Sequence, residues 1–184
     1  MQDDFLYKAV PALGRRVFRL GLATNYGVEA GDVEWALDQG VNYFFWTSRA
    51  TKVVPALKKA MQGDRESLII ATGPTTGFFG GGIKRGCDRL LKKLGTDYID
   101  ILQIFWLGRT AAWTPSTIDA LVSLKESGKV RAIGISIHDR KRAGRLAEDS
   151  PLDMLMVRYN AAHTGAEKDI FPHLAKRQPA IVAY

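Results

Sequence analysis

Cysteine is almost missing from this chain: Cys87 is the only one in 184 residues. That excludes an internal disulfide and any all-cysteine zinc site. Long apolar runs are missing too, since none approaches the roughly 20 residues that a membrane-spanning helix needs. Met1–Lys8 carries two aspartates where a secretory signal would have its apolar core. Phosphate fingerprints are also lacking. Neither the dinucleotide GxGxxG nor the Walker GxxxxGK[ST] pattern follows an apolar run; Gly77–Gly82 comes nearest and has the wrong spacing. His163 and His173 have no cysteine or carboxylate at ligand spacing, so no metal is expected. A composition of 46% hydrophobic and 24% charged residues excludes disorder. The expectation is a cytoplasmic globular chain.

Acidic residues are in short supply: 26 Lys and Arg stand against 19 Asp and Glu, a net charge of +7. The densest basic stretches, Lys84–Lys93 and Arg140–Arg145, fall in segments with helical periodicity. Without zinc-finger spacing or an aromatic RNA-binding strand, this charge points away from nucleic acid. It reads instead as solvated helix faces with a preference for small anionic ligands.

What the chain does have is alternation. Val17–Ala23, Val41–Trp46, Leu68–Thr72, Tyr98–Trp106, Val130–Ser136, Asp153–Arg158 and Ala180–Tyr184 are short β-branched or apolar runs, which predicts strands. Amphipathic segments separate them. Val33, Ala36 and Leu37 share one helical face before Gly40; Ile83, Cys87, Leu90, Leu91 and Leu94 form a stripe closed by Gly95. Val53–Met61 and a helix opened by Thr114-Pro115 follow the same logic, as do segments near His138–Glu148 and Ala166–Lys176, the last disturbed by Pro172. About seven strands and six helices in strict alternation imply a parallel sheet, either doubly wound or a (β/α)₈ barrel. With no nucleotide-binding turn, the α/β reading that remains is an incomplete TIM-type (β/α)₈ barrel. It forms one domain over residues 1–184, one strand and two helices short of the usual barrel of about 250 residues.

The segments RLGLAT (Arg19–Thr24), GVNYF (Gly40–Phe44), LGTDYIDILQ (Leu94–Gln103), GKVRAIGIS (Gly128–Ser136) and Ala183–Tyr184 resemble the aldo-keto reductase superfamily in order and spacing, over about Leu13–Tyr184. The resemblance implies an eight-stranded barrel that reduces carbonyls with NAD(P)H through an Asp, Tyr, Lys and His tetrad, and relative to it this chain is C-terminally truncated. A carbonyl that accepts hydride needs a proton at its oxygen. A tyrosine of pKa about 10 supplies one only when neighbours tune it. In the family, lysine backed by aspartate does the tuning and histidine positions the carbonyl. The resemblance puts Phe45 (or Trp46, one register away) at the aspartate, Ala50 or Thr51 at the tyrosine, Gly73 at the lysine and Phe105 at the histidine. None of these side chains donates or shuttles a proton. For the cofactor, NADP or NAD by the same resemblance, Ser136 and Tyr184 match the nicotinamide-binding serine and stacking aromatic. Ile137 and Met156 replace the partnering asparagine and glutamine.

Function in barrels sits at the C-terminal ends of the strands. That rule selects Trp46, Arg49, Phe105, Trp106, Arg158 and Asn160 as a substrate pocket, with Asn25, Ser48, Thr72 and Asp139 nearby. Tyr26, His138, Tyr159 and His163 are the candidate acids. The set suits a small carbonyl, a flat aromatic or an anion. Structural readings stand beside it: Asp139 as a helix cap, Phe44–Trp46 as barrel packing, and Cys87 as inert core. Gly73–Gly82 reads as either a lid or a long turn using positive φ. Two functions follow: an NAD(P)H-dependent carbonyl reductase of altered chemistry, or a non-catalytic barrel that binds a ligand or partner. The unpaired first and last strands invite self-association.

Overall fold

The computed structural model describes residues 5–184. The chain opens with an antiparallel hairpin of β1 (Tyr7–Val10) and β2 (Arg15–Phe18), joined by a one-turn 3₁₀ segment at Pro11–Leu13 and by Gly14 at φ +62°. Then come β3 (Leu22–Ala23), α1 (Ala30–Asp38), β4 (Tyr43–Phe45), α2 (Val54–Gly63), β5 (Ile69–Thr72), α3 (Gly80–Leu94), β6 (Ile99–Ile104), α4 (Pro115–Glu126), β7 (Val130–Ser136), α5 (Arg140–Asp149), β8 (Met154–Val157), α6 (Ala166–Asp169) and β9 (Ala180–Ala183). Strands β3 to β9 pair in sequence order, every neighbour parallel. Among the described residues β3 and β9 do not pair, so the seven strands make an open barrel.

Each strand divides its side chains between two cores, as period-two geometry requires. Phe44, Ile70, Leu102 and Ile133 face outward, under helix residues such as Ile83 and Leu121. Tyr43, Ile69, Ala71, Ile101, Ala132 and Met154 face the lumen, where Leu13 of the hairpin turn joins them. Arg15 ties the hairpin to the N-terminal ends of the strands by donating to the Glu66 and Leu68 carbonyls at 2.6 and 3.0 Å and to the Asp100 carboxylate.

Three local expectations change. Val17–Ala23 is not one strand: its first half belongs to the hairpin and only Leu22–Ala23 joins the barrel. The chain passes between them at Gly21, where an added Cβ would lie 2.5 Å from the Tyr43 ring. The glycine-rich segment after β5 is not a positive-φ turn, for Gly73, Gly77 and Gly80–Gly82 all keep ordinary φ and Gly80–Gly82 begin α3. Gly80 is required by approach, since a Cβ there would sit 2.3 Å from the Ser116 carbonyl of α4. Pro172 limits α6 to four residues, and a 3₁₀ turn at Phe171–His173 follows.

Candidate functional site

At the C-terminal ends of β4, β5 and β6 the inward positions are Phe45, Gly73 and Phe105, and the fold brings them to one mouth. The Phe45 and Phe105 rings meet edge to face with centroids 5.5 Å apart. Gly73 lies against both strand and ring: a Cβ there would fall 1.7 Å from the Gln103 carbonyl oxygen and 3.4 Å from Phe105 Cε2. The position therefore has no room for a side chain of any kind. Ala50 packs on the outer core, and its carbonyl accepts a hydrogen bond from Trp46 Nε1 at 2.9 Å. Trp46, expected in the pocket, is fully buried in that outer core. Its place at an even position of β4's alternation, next to Phe44 and Phe45, turns it toward the helices. Arg49 is exposed.

A second group forms where β6, β7 and β9 end. Trp106, at φ +50° and about half exposed, opens a turn in which Thr110 Oγ1 donates to the Phe105 carbonyl at 2.7 Å. The His138 ring lies 5.7 Å from Trp106 and 6.2 Å from Tyr184, the latter edge to face. Tyr184 Oη and His138 Nε2 are 3.3 Å apart. The Arg109 guanidinium stands 5.5 Å from the Trp106 ring centre. Burial raises the Tyr184 hydroxyl above its ordinary pKa, and the positive charge of Arg158 offsets part of that rise. Asp139 caps α5 by accepting from the Arg142 backbone N–H at 3.0 Å, so the carboxylate that follows His138 is directed at a helix end. Ser136 is on the inward face of β7 with Ala132 and Gly134. Ile137 is buried, and the Met156 sulfur accepts from Gln103 Nε2 at 3.1 Å.

The other expected residues stand apart from this group. Tyr26 is fully exposed at φ +63°. Tyr159 packs on Phe171 at 4.9 Å and donates to Glu167 Oε1 at 3.0 Å, a bond that raises its pKa. His163 and Asn160 close a surface turn on each other, 3.1 Å from Nδ1 to Oδ1. No sequence pattern singles out Arg109, which lies in an irregular turn with no periodicity to place it beside Trp106.

The model of the aldo/keto reductase family matches residues 22–184. The chain belongs to that family. It is similar to the aldo-keto reductase YhdN of Bacillus subtilis, 27% identical over 165 residues, covering 81% of this chain and 49% of the relative. It is also similar to the methylglyoxal reductase YeaE of Escherichia coli, 25% identical over 187 residues, covering 96% of this chain and 64% of that protein. Among solved structures, the holo form of aldo-keto reductase AKR11C1 from Bacillus halodurans superposes with a TM-score of 0.81 at 22% identity, over 96% of this chain and 65% of that one. An aldo/keto reductase from Klebsiella pneumoniae in complex with NADP and acetate superposes at 0.74 and 21% identity, over 93% and 65%. At these identities the structures speak for the fold, the incomplete barrel of an aldo/keto reductase. The chain spans about half the length of several curated relatives it matches.

Proposed function

We propose that this aldo/keto reductase barrel binds a flat anionic ligand at the rim formed by Trp106, His138 and Tyr184, and does not run the family's tetrad chemistry. The observation that carries the reading is Phe45 packed on Phe105 over Gly73. At the positions the resemblance assigns to aspartate, histidine and lysine, the mouth is hydrocarbon, and the lysine position is closed by the Gln103 carbonyl. A hydride acceptor held there would find no group to protonate its oxygen. The rim next to it supplies what a flat anion uses: exposed ring faces and the guanidinium groups of Arg109 and Arg158.

NADP and NAD are the cofactors the family implies, and this chain's residues meet them only in part. Tyr184 offers a ring for the nicotinamide and Ser136 an inward hydroxyl. Of the two positions the family uses for the carboxamide, Ile137 is an apolar side chain buried in the outer core, and the Met156 sulfur already accepts from Gln103 Nε2. These two positions do not fit the carboxamide.

A second reading, carbonyl reduction with another acid, draws on the Tyr184–His138 contact. The direction of the Tyr184 shift opposes it, because burial makes that hydroxyl a weaker proton donor than free tyrosine. Calorimetric titration with benzene tricarboxylate and cyclohexane tricarboxylate tests the proposal at equal ligand charge. The flat ring binds more tightly to the native chain, and His138→Ala and Arg158→Ala weaken it several-fold. Equal binding of both ligands, or indifference to both substitutions, refutes the rim site.

A further inference from the structure

One corner of the barrel carries an apolar prominence that neither the core nor the rim uses. The segment between β5 and α3 is tied down at two buried glycines. Gly77 donates its N–H to the Thr110 carbonyl at 2.9 Å, and its own carbonyl accepts from the Ala112 N–H at 3.0 Å. A Cβ there would lie 3.0 Å from the Ala111 methyl, and Gly80 is pressed as closely on Ser116 of α4. The two residues between these anchors are Phe78 and Phe79, 42% and 78% exposed. Phe79 also holds the N-cap of α3, where a serine, threonine, aspartate or asparagine side chain would accept from the helix N–H groups, and it makes no such bond. Adjacent rings held outward, one of them at a position that favours a polar residue, point to a partner outside the fold.

The surrounding charge indicates which partner. No aspartate or glutamate occurs from Ser67 to Cys87 or from Ile101 to Ile118, the two segments that meet at Gly77 and Ala111. Lys84, Arg85 and Arg89 are exposed on α3, and Lys84 Nζ donates to the Ser123 hydroxyl at 3.0 Å rather than to a carboxylate. Asp88 on the same helix is held by Lys129 at 2.7 Å, so the corner stays positive even with Asp119 of α4 counted. We propose that this corner docks on an anionic phospholipid bilayer, with Phe78 and Phe79 inserted below the headgroups and Lys84, Arg85 and Arg89 against the phosphates. The chain's net charge of +7 adds to the attraction. No helix among the described residues is long and apolar enough to cross a membrane, so the contact is peripheral. A second copy fits less well, because a two-fold contact at the phenylalanines would set the same cations against each other. None of these residues belongs to the proposed rim site, and the two readings fail independently.

Co-sedimentation of the whole chain with phospholipid vesicles tests the proposal, pure phosphatidylcholine being set against phosphatidylcholine with about 30% phosphatidylserine. The native chain is expected to partition about tenfold more strongly onto the anionic vesicles and to lose that preference in high salt. Replacing both rings, Phe78→Ser with Phe79→Ser, should weaken anionic binding about tenfold or more. Lys84→Gln with Arg85→Gln should weaken it about fivefold per charge. Thermal melting checks that both pairs fold, and the ring pair should melt no lower than the native chain because serine supplies the missing cap. If one pair does not fold, the other still decides. No partitioning of the native chain, or equal partitioning onto both kinds of vesicle, overturns the proposal. A ring pair that partitions as well as the native chain also overturns it, reducing the attraction to net charge alone. So does a lipid-free dimer in sedimentation velocity that the ring pair dissociates, which would assign the prominence to a second copy.

Discussion

The two ends of this barrel are built on opposite principles. At the N-terminal ends of the strands the charges are closed on each other. Asp100, fully buried, accepts from Arg15, from Arg65 at 2.7 Å and from the Ile70 backbone N–H at 2.9 Å. The guanidinium carbons of Arg65 and Arg131 each lie 3.9 Å from the Tyr98 ring centre. Glu66 receives Arg131 at 2.5 and 2.9 Å and the Tyr98 hydroxyl at 2.6 Å. At the C-terminal rim the rings of Trp106, His138 and Tyr184 stand with the guanidinium groups of Arg109 and Arg158, while Asp139 is engaged by the Arg142 N–H. The first end is satisfied from within the chain. The second leaves charge and ring faces open to solvent, which is where the proposed ligand would bind and where barrels generally carry function.

Asp100→Ala should break the closed end most severely. It strands Arg15 and Arg65 without their shared partner and orphans the Ile70 N–H, so denaturant unfolding is expected to show a loss of about 3–5 kcal/mol. A loss below about 1 kcal/mol would mean that the network is ornamental. Next in size is Gly73→Ala. The methyl must displace the Gln103 carbonyl, and the expected cost is about 1–3 kcal/mol in the same measurement. A neutral result would show that the mouth can open to admit a side chain.

Glu66 gives a smaller, pH-dependent effect. Hydrogen bonds from Arg131 and Tyr98 lower its pKa from an ordinary 4.5 to about 2. A carboxylate with a depressed folded-state pKa stabilises the fold above its unfolded value and loses that contribution as the pH falls toward the folded one. The stability difference between the native chain and Glu66→Gln should therefore be full above about pH 5 and shrink toward pH 2. Its plateau should stay under about 1 kcal/mol, because the carboxylate is more than half exposed. Salt should reduce it further. The smallest effect on folding belongs to the rim, where His138→Ala and Arg158→Ala are expected to stay within about 0.5 kcal/mol although they weaken the tricarboxylate. A large unfolding effect there would erase the contrast between the two ends.

Much of the fold was legible in the sequence because its signals are local. The apolar run Ile69–Thr72 is buried on both faces of the sheet, Thr114-Pro115 and Asp139 open helices, and Gly95 and Gly128 end them with positive φ. The hairpin was overlooked because Arg15–Phe18 and Leu22–Ala23 read as one run; Pro11 and Gly14 marked the turn that divides them from their partner strand. The site was harder. Strand-end arithmetic cannot tell inward from outward without register, which is why Trp46 was counted in the pocket it backs. It also cannot say which loops fold together, so Tyr26, Tyr159 and His163 were grouped with His138 although the structure holds them apart.

Incubating the purified chain with NADPH and a panel of aldehydes, and following loss of the reduced cofactor's absorbance, decides whether the barrel carries out hydride transfer. With hydrocarbon at the Phe45–Phe105 mouth, no oxidation above the protein-free control is expected for any aldehyde, in a sample that still binds benzene tricarboxylate. Sustained turnover that Tyr184→Phe abolishes would contradict it.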